Sequence, residues 1–120
     1  MKEKKRVLFV CSANLNRSPK AEELTNKYDK ENENYEVKSV GLHPLAVVPI
    51  SSEAIEWADI IVLMNEREEK QKSRLFEMFP SEKLEEKDIK VLGILDIYEK
   101  EDLELKRILL NNLKEEKLIG

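Results

Sequence analysis

Short apolar runs alternate along this chain with longer, charged, amphipathic stretches. Residues 6–11 (RVLFVC) are β-branched and aromatic and stop where small polar residues begin, which predicts a buried strand. Pro19 suits the first turn of a helix, where its missing N–H costs nothing, and that helix is expected to run to about residue 31. Residues 35–40 read as a second strand closed by Gly41, and residues 42–50, with Pro44 and Pro49, as a loop. Ser51, Ser52 and Glu53 can cap a short helix reaching Trp57. The clearest central strand is 58–64 (ADIIVLM); a charged helix over 66–79 follows it and stops at Pro80. A fourth strand is expected over 89–95. The last helix, over 102–118, has Leu105, Ile108, Leu109 and Leu113 on its buried face. Strand and helix therefore alternate four times, which predicts a parallel sheet with helices on both faces. Ligands of such open sheets sit at the carboxyl ends of the strands, near the switch in strand order. Cys11 lies at the carboxyl end of the first strand.

Composition narrows the picture. At 120 residues the chain suits one domain, residues 1–120, with a real core. A 41% hydrophobic content beside 38% charged residues argues against disorder. The net charge of −4 argues against a general nucleic-acid surface, and Lys2, Lys4, Lys5 and Arg6 read as a solvated terminus. The apolar run 7–10 is too short for a signal peptide, and no stretch approaches the ~20 apolar residues of a membrane helix. A single Cys and a single His leave no internal disulfide and no Cys- or His-cluster metal site. The expectation is a cytoplasmic protein with no cofactor, no metal, and neither nucleic acid nor membrane as partner.

The candidate chemistry lies in Cys11-Ser12-Ala13-Asn14-Leu15-Asn16-Arg17-Ser18-Pro19. A short loop between a strand and a helix N-terminus can turn several backbone N–H groups inward as a nest for an anion, aided by the helix dipole. A cysteine at the start of that loop feels the same field, which favours its thiolate. The planar fork of Arg17 can hold two oxygens of a phosphoryl group. Asn14 stands mid-loop, where tolerance of left-handed backbone is useful. Ser18 can donate its hydroxyl to the cysteine sulfur. The alternative reading is a cysteine that is simply buried.

The motif C-x5-R-S-P after an apolar strand and opening a helix resembles the low-molecular-weight protein tyrosine phosphatases. Asn14, the Ala21-Glu22 pair, the run Ser39-Val40-Gly41 and the strand 58–64 agree with that family's pattern. The resemblance spans essentially the whole chain. It implies a three-layer α/β fold with a four-stranded parallel sheet in the order 2-1-3-4. It also implies hydrolysis of phosphotyrosine or similar aryl phosphate monoesters through a cysteinyl-phosphate, with a phosphorylated protein or a small aryl phosphate as partner. Cys11 takes the place of the nucleophile and Arg17 that of the phosphate-binding arginine. Ser12, Ala13, Asn14, Leu15, Asn16 and Ser18 complete the binding loop. The family's general acid is an aspartate in an Asp-Pro-Tyr-like loop after the last strand. Asp96 occupies that position, with Tyr98 as the aromatic beside the substrate ring. Asp102 is the rival acid, but it reads better as the cap of the last helix.

The chain also departs from the family. Asn16 stands where many relatives have a second cysteine, Ala13 where many have glycine, Asn65 where many have aspartate, and Ile97 in place of proline. The segment between Gly41 and Ala58 is shorter than usual and carries less of the rim that selects substrates. Arsenate reductase chemistry shares the loop, but with one cysteine it needs an external thiol. A non-catalytic phosphate or phosphoprotein binder would retain the loop and lose turnover, and a phosphocysteine carrier with a similar strand–Cys–loop start needs neither Arg17 nor the distant Asp96.

Overall fold

The computed structural model describes residues 4–29, 34–67 and 69–119. Four strands, β1 (Lys5–Cys11), β2 (Tyr35–Gly41), β3 (Ile60–Leu63) and β4 (Asp88–Val91), form one parallel sheet in the order β2-β1-β3-β4. The expected order 2-1-3-4 is the one found. β1 and β3 are the inner strands, which is why β1 from Val7 onward and all of β3 are apolar and buried.

Alternate side chains of these strands divide between two cores, as the two-residue period of a strand requires. Val7, Phe9, Cys11, Ile60, Val62 and Met64 belong to one cluster, together with Ala21 and Leu24 of α1 (Arg17–Tyr28) and Leu105, Leu109 and Leu113 of α5 (Leu103–Glu115). Leu8, Val10, Ile61 and Leu63 pack on the other side. Their partners are Ile55 of α2 (Ser52–Trp57), Leu75 of α3 (Gln71–Met78) and Leu84 of α4 (Ser81–Glu85). Helices therefore cover both faces, as expected. Among the described residues no helix is long and apolar enough to cross a membrane.

Several boundaries differ from the sequence reading. α1 starts two residues before Pro19 and ends at Tyr28; the expected extension to residue 31 lies partly outside the described residues. The charged stretch 66–79, in which residue 68 is outside the description, is not one helix. Its helical part is α3 alone, and Lys70 just before it is left-handed (φ 54°). The reason lies in two side chains. Glu66 accepts from the N–H groups of Lys72 and Ser73, capping α3 from outside. Gln71 accepts from the N–H groups of Met64 and Asn65, tying the start of α3 to the end of β3. Past Pro80 lies the short α4, which the pattern of the chain does not announce. β4 ends at Val91, although Leu92 and Ile94 still donate to Leu63 and Met64. Ser51 and Asp102 cap α2 and α5 by accepting from the N–H groups of Ala54 and Glu104.

Candidate active site

Cys11 ends β1 and is almost wholly buried. Residues 12–16 then carry the chain to α1. Three consecutive carbonyls of this loop face outward and are held. Leu42 N–H donates to the oxygen of Cys11 (2.9 Å), His43 N–H to that of Ser12 (3.0 Å) and Val47 N–H to that of Ala13 (3.2 Å). In a trans peptide the N–H points opposite to the carbonyl. The amides of Ser12, Ala13 and Asn14 are therefore turned inward by the segment after β2. The Asn14 N–H meets the Cys11 sulfur at 3.2 Å, in keeping with that orientation.

Asn14 is left-handed (φ 55°), a conformation that its short polar side chain tolerates. Its amide group spans the loop. Nδ2 donates to Ser18 Oγ at 2.9 Å, and Oδ1 accepts from Val48 N–H at 3.1 Å. Ser18 Oγ lies 3.0 Å from the Cys11 sulfur. Gly41 lets the segments meet, because a Cβ there would stand 2.8 Å from the oxygen of Ser12 and 2.5 Å from Cβ of Ala46. The first turn of α1 has no side-chain cap and Pro19 brings no N–H, so the helix N-terminus opens toward the loop.

Arg17, 1% exposed, is the largest fully buried side chain. Nη1 donates to Glu69 Oε2 (2.5 Å) and to the oxygen of Ile94 (2.8 Å), and Nη2 donates to Glu69 Oε1 (2.8 Å). Asp96 Oδ2 lies 3.6 Å from Nη2, an ion-pair distance. Nε is buried and has no hydrogen-bond partner among the described residues. Burial pushes the guanidinium pKa down. The Glu69 hydrogen bonds and charge, with Asp96 and Cys11, outweigh that and raise it above the ordinary value. The Glu69 carboxyl shows the opposite balance. Burial pushes it up, but hydrogen bonds from Arg17 and Ser12 and the charge of Arg17 hold it below the usual glutamate range.

The other expected residues take distinct places. Ser12 Oγ donates to Glu69 Oε1 at 2.8 Å. Leu15 is exposed at the loop tip. Asn16 Oδ1 accepts from Lys100 N–H at 3.0 Å and so ties the loop to the segment carrying Asp96. With Arg17 on Ile94, that segment is held on both sides of Asp96 although Ile97 replaces proline. Asp96 is half exposed. Tyr98 packs against the cluster under α1 and α5, while Leu95 and Ile97 are the exposed apolar side chains of its loop. His43 serves its own turn: its Nδ1 accepts from Leu45 N–H. No group of three or more His, Cys, Asp or Glu side chains placed to hold a metal ion occurs among the described residues.

Sequence reasoning missed Glu69 and Gln71. Both lie in the stretch read as one charged helix, where a glutamate looks solvated. The available signal was position: they follow the carboxyl end of the central strand, at the sheet edge that holds Cys11.

Comparison with known proteins supports the resemblance. Residues 6–49 match the family model described as low molecular weight phosphotyrosine protein phosphatase. No curated protein matches the chain. Solved structures share the fold. SP-PTP, a low molecular weight protein tyrosine phosphatase from Streptococcus pyogenes, superposes with a TM-score of 0.70 at 18% identity, over 92% of each chain. The tyrosine phosphatase Wzb from Escherichia coli K30, solved with phosphate, gives 0.68 at 14% identity over 97% of each chain. The YwlE arginine phosphatase from Geobacillus stearothermophilus gives 0.61 at 23% identity, over 95% of this chain and 96% of its own.

Proposed function

We propose that this chain, which shares the fold of the low molecular weight phosphatases and their sequence pattern over residues 6–49, is a cysteine-dependent phosphatase acting on aryl phosphate monoesters such as phosphotyrosine. The observation that carries the reading is the convergence at one sheet edge of the Cys11 sulfur, an inward-turned amide loop and the buried Arg17, with Asp96 3.6 Å from Nη2. In the first step Cys11 attacks phosphorus in line and the P–O bond to the leaving group breaks. Asp96 gives that oxygen its proton. The loop amides and Arg17 stabilise the equatorial oxygens. In the second step water attacks the cysteinyl-phosphate, Asp96 takes a proton, and the sulfur leaves as a thiolate stabilised by Ser18 and the Asn14 N–H.

Leu15 in the loop and Leu45 and Val47 on the segment that holds it are exposed apolar side chains, and these suit contact with an aromatic ring. A phosphorylated protein or a small aryl phosphate in the cytoplasm fits this reading. The test is hydrolysis of p-nitrophenyl phosphate, phosphotyrosine and phosphoserine. Turnover should be abolished by Cys11→Ser. With the aryl substrates it should fall about 10²-fold or more in Asp96→Asn, the usual scale of a lost general acid. Parental turnover by Cys11→Ser would overturn the covalent mechanism. Stable cysteinyl-phosphate in the parent would favour a phosphate carrier instead.

A further inference from the structure

A guanidinium offers two parallel-donor edges, one from Nη1 and Nη2 at its end and one from Nε and Nη2 at its side. In Arg17 the end edge is filled by both carboxylate oxygens of Glu69, and the second Nη1 hydrogen is taken by the oxygen of Ile94. The side edge is unpaired: Nε is buried with no hydrogen-bond partner among the described residues, and Nη2 faces Asp96 only at 3.6 Å. We infer that Glu69 is a positioning residue for the phosphoryl site, fixing Arg17 end-on so that its Nε/Nη2 edge is the one presented to the phosphoryl oxygens.

The support around Glu69 fits this role. Its carboxylate is itself held by Ser12 Oγ at 2.8 Å and by Gln71 Nε2 at 3.3 Å, and its backbone N–H donates to Asn65 Oδ1 at 3.1 Å. Gln71 is wholly buried and uses its other amide atom on the end of β3. The orientation of the arginine is thus referred back to the central strand through Gln71 and Glu69. The same carboxylate reaches Ser12, next to the nucleophile, so one side chain holds the start of the loop and the arginine at its end. The side chain of Glu69 is 19% exposed and belongs to neither apolar core cluster. A single truncation therefore frees the arginine without opening a cavity in either core.

The inference rests on the phosphatase reading for its kinetic arm and stands apart from it in its binding arm. Inorganic phosphate is titrated calorimetrically into the parent, Glu69→Ala and Glu69→Gln, and kcat and KM are measured with p-nitrophenyl phosphate. Glu69→Ala is expected to bind phosphate about tenfold more weakly and to lose about 10²-fold in kcat with a smaller change in KM, because misplacement of a positioned group by about 1 Å costs on that order. Glu69→Gln keeps one acceptor and should fall between; it carries the test if the alanine variant does not fold. Parental kcat and phosphate affinity in both variants would overturn the inference. Tighter phosphate binding by Glu69→Ala would overturn it too, because the carboxylate would then be competing for the anion's seat. If the parent binds phosphate but hydrolyses no ester, and the variants lose that binding, the phosphatase reading fails while the role of Glu69 stands.

Discussion

Replacing Gly41 with alanine tests whether the segment after β2 shapes the catalytic loop. A Cβ at this position would lie 2.5 Å from Cβ of Ala46, 2.8 Å from the oxygen of Ser12 and 3.0 Å from the carbonyl carbon of Ala13. Comfortable contacts between such atoms are about 3.5–4.0 Å. Something must move by about 1 Å, and two of the three atoms are backbone of the loop that turns its amides toward Cys11. Overpacking of this kind costs about 1–3 kcal/mol. At roughly 4 °C per kcal/mol for a domain of this size, the melting temperature should fall by about 4–12 °C. The functional loss should be larger in proportion. Displacing positioned groups by about 1 Å lowers turnover about 10²-fold. The assay is kcat/KM for p-nitrophenyl phosphate alongside thermal unfolding followed by circular dichroism. Gly93→Ala is the internal control, because a Cβ there meets nothing within 4 Å, and it should match the parent in both. A Gly41→Ala protein with parental turnover and parental melting would refute the close-approach reasoning. Lower melting with unchanged turnover would show that the Ala46 side yields and the catalytic loop does not.

Two further outcomes follow from the site's hydrogen bonds. Asn14→Ala loses the links to Ser18 and to Val48 and keeps an unfavourable positive φ, whereas Asn14→Gly loses the same links without that strain. Both variants should lose turnover, and the glycine variant should be the more stable by about 1 kcal/mol in urea unfolding; equal stability would show that the backbone relaxes. The depressed Glu69 carboxyl makes stability pH-dependent in one direction. Its contribution is complete above the ordinary glutamate range and is lost as pH falls through the lower, folded-state value. The stability difference between parent and Glu69→Gln should thus be constant from neutral pH to about pH 5 and shrink below it. A difference that stays constant down to pH 3 would contradict this account.

Much of the fold is legible along the chain because its signals are local. The inner strands announce themselves as apolar runs, and the caps Ser51 and Asp102 act within three residues of themselves. The residues that meet in the site span most of the chain, yet two sets of them were readable. The loop from Cys11 to Ser18 is contiguous, and the resemblance together with its place after the last strand singles out Asp96, which lies 3.6 Å from Arg17 Nη2.

What could not be read is what depends on distant partners. Ile97 in place of proline leaves the segment carrying Asp96 without a residue of fixed φ. The tie comes instead from Asn16 to Lys100, 84 positions away, using the very residue that replaces a cysteine. The break at residue 70 inside an apparently continuous charged helix carries no glycine or proline signal; it follows from Gln71 binding the end of β3. Along the chain Glu69 is one acidic residue among many. Periodicity and local loop chemistry suffice to read the strands, Cys11, Arg17 and the sheet edge where the two residues stand from the chain alone. Which edge of Arg17 is filled and which stays unpaired follows from the folded arrangement, because it depends on a carboxylate 52 positions away brought back by the crossover from β3.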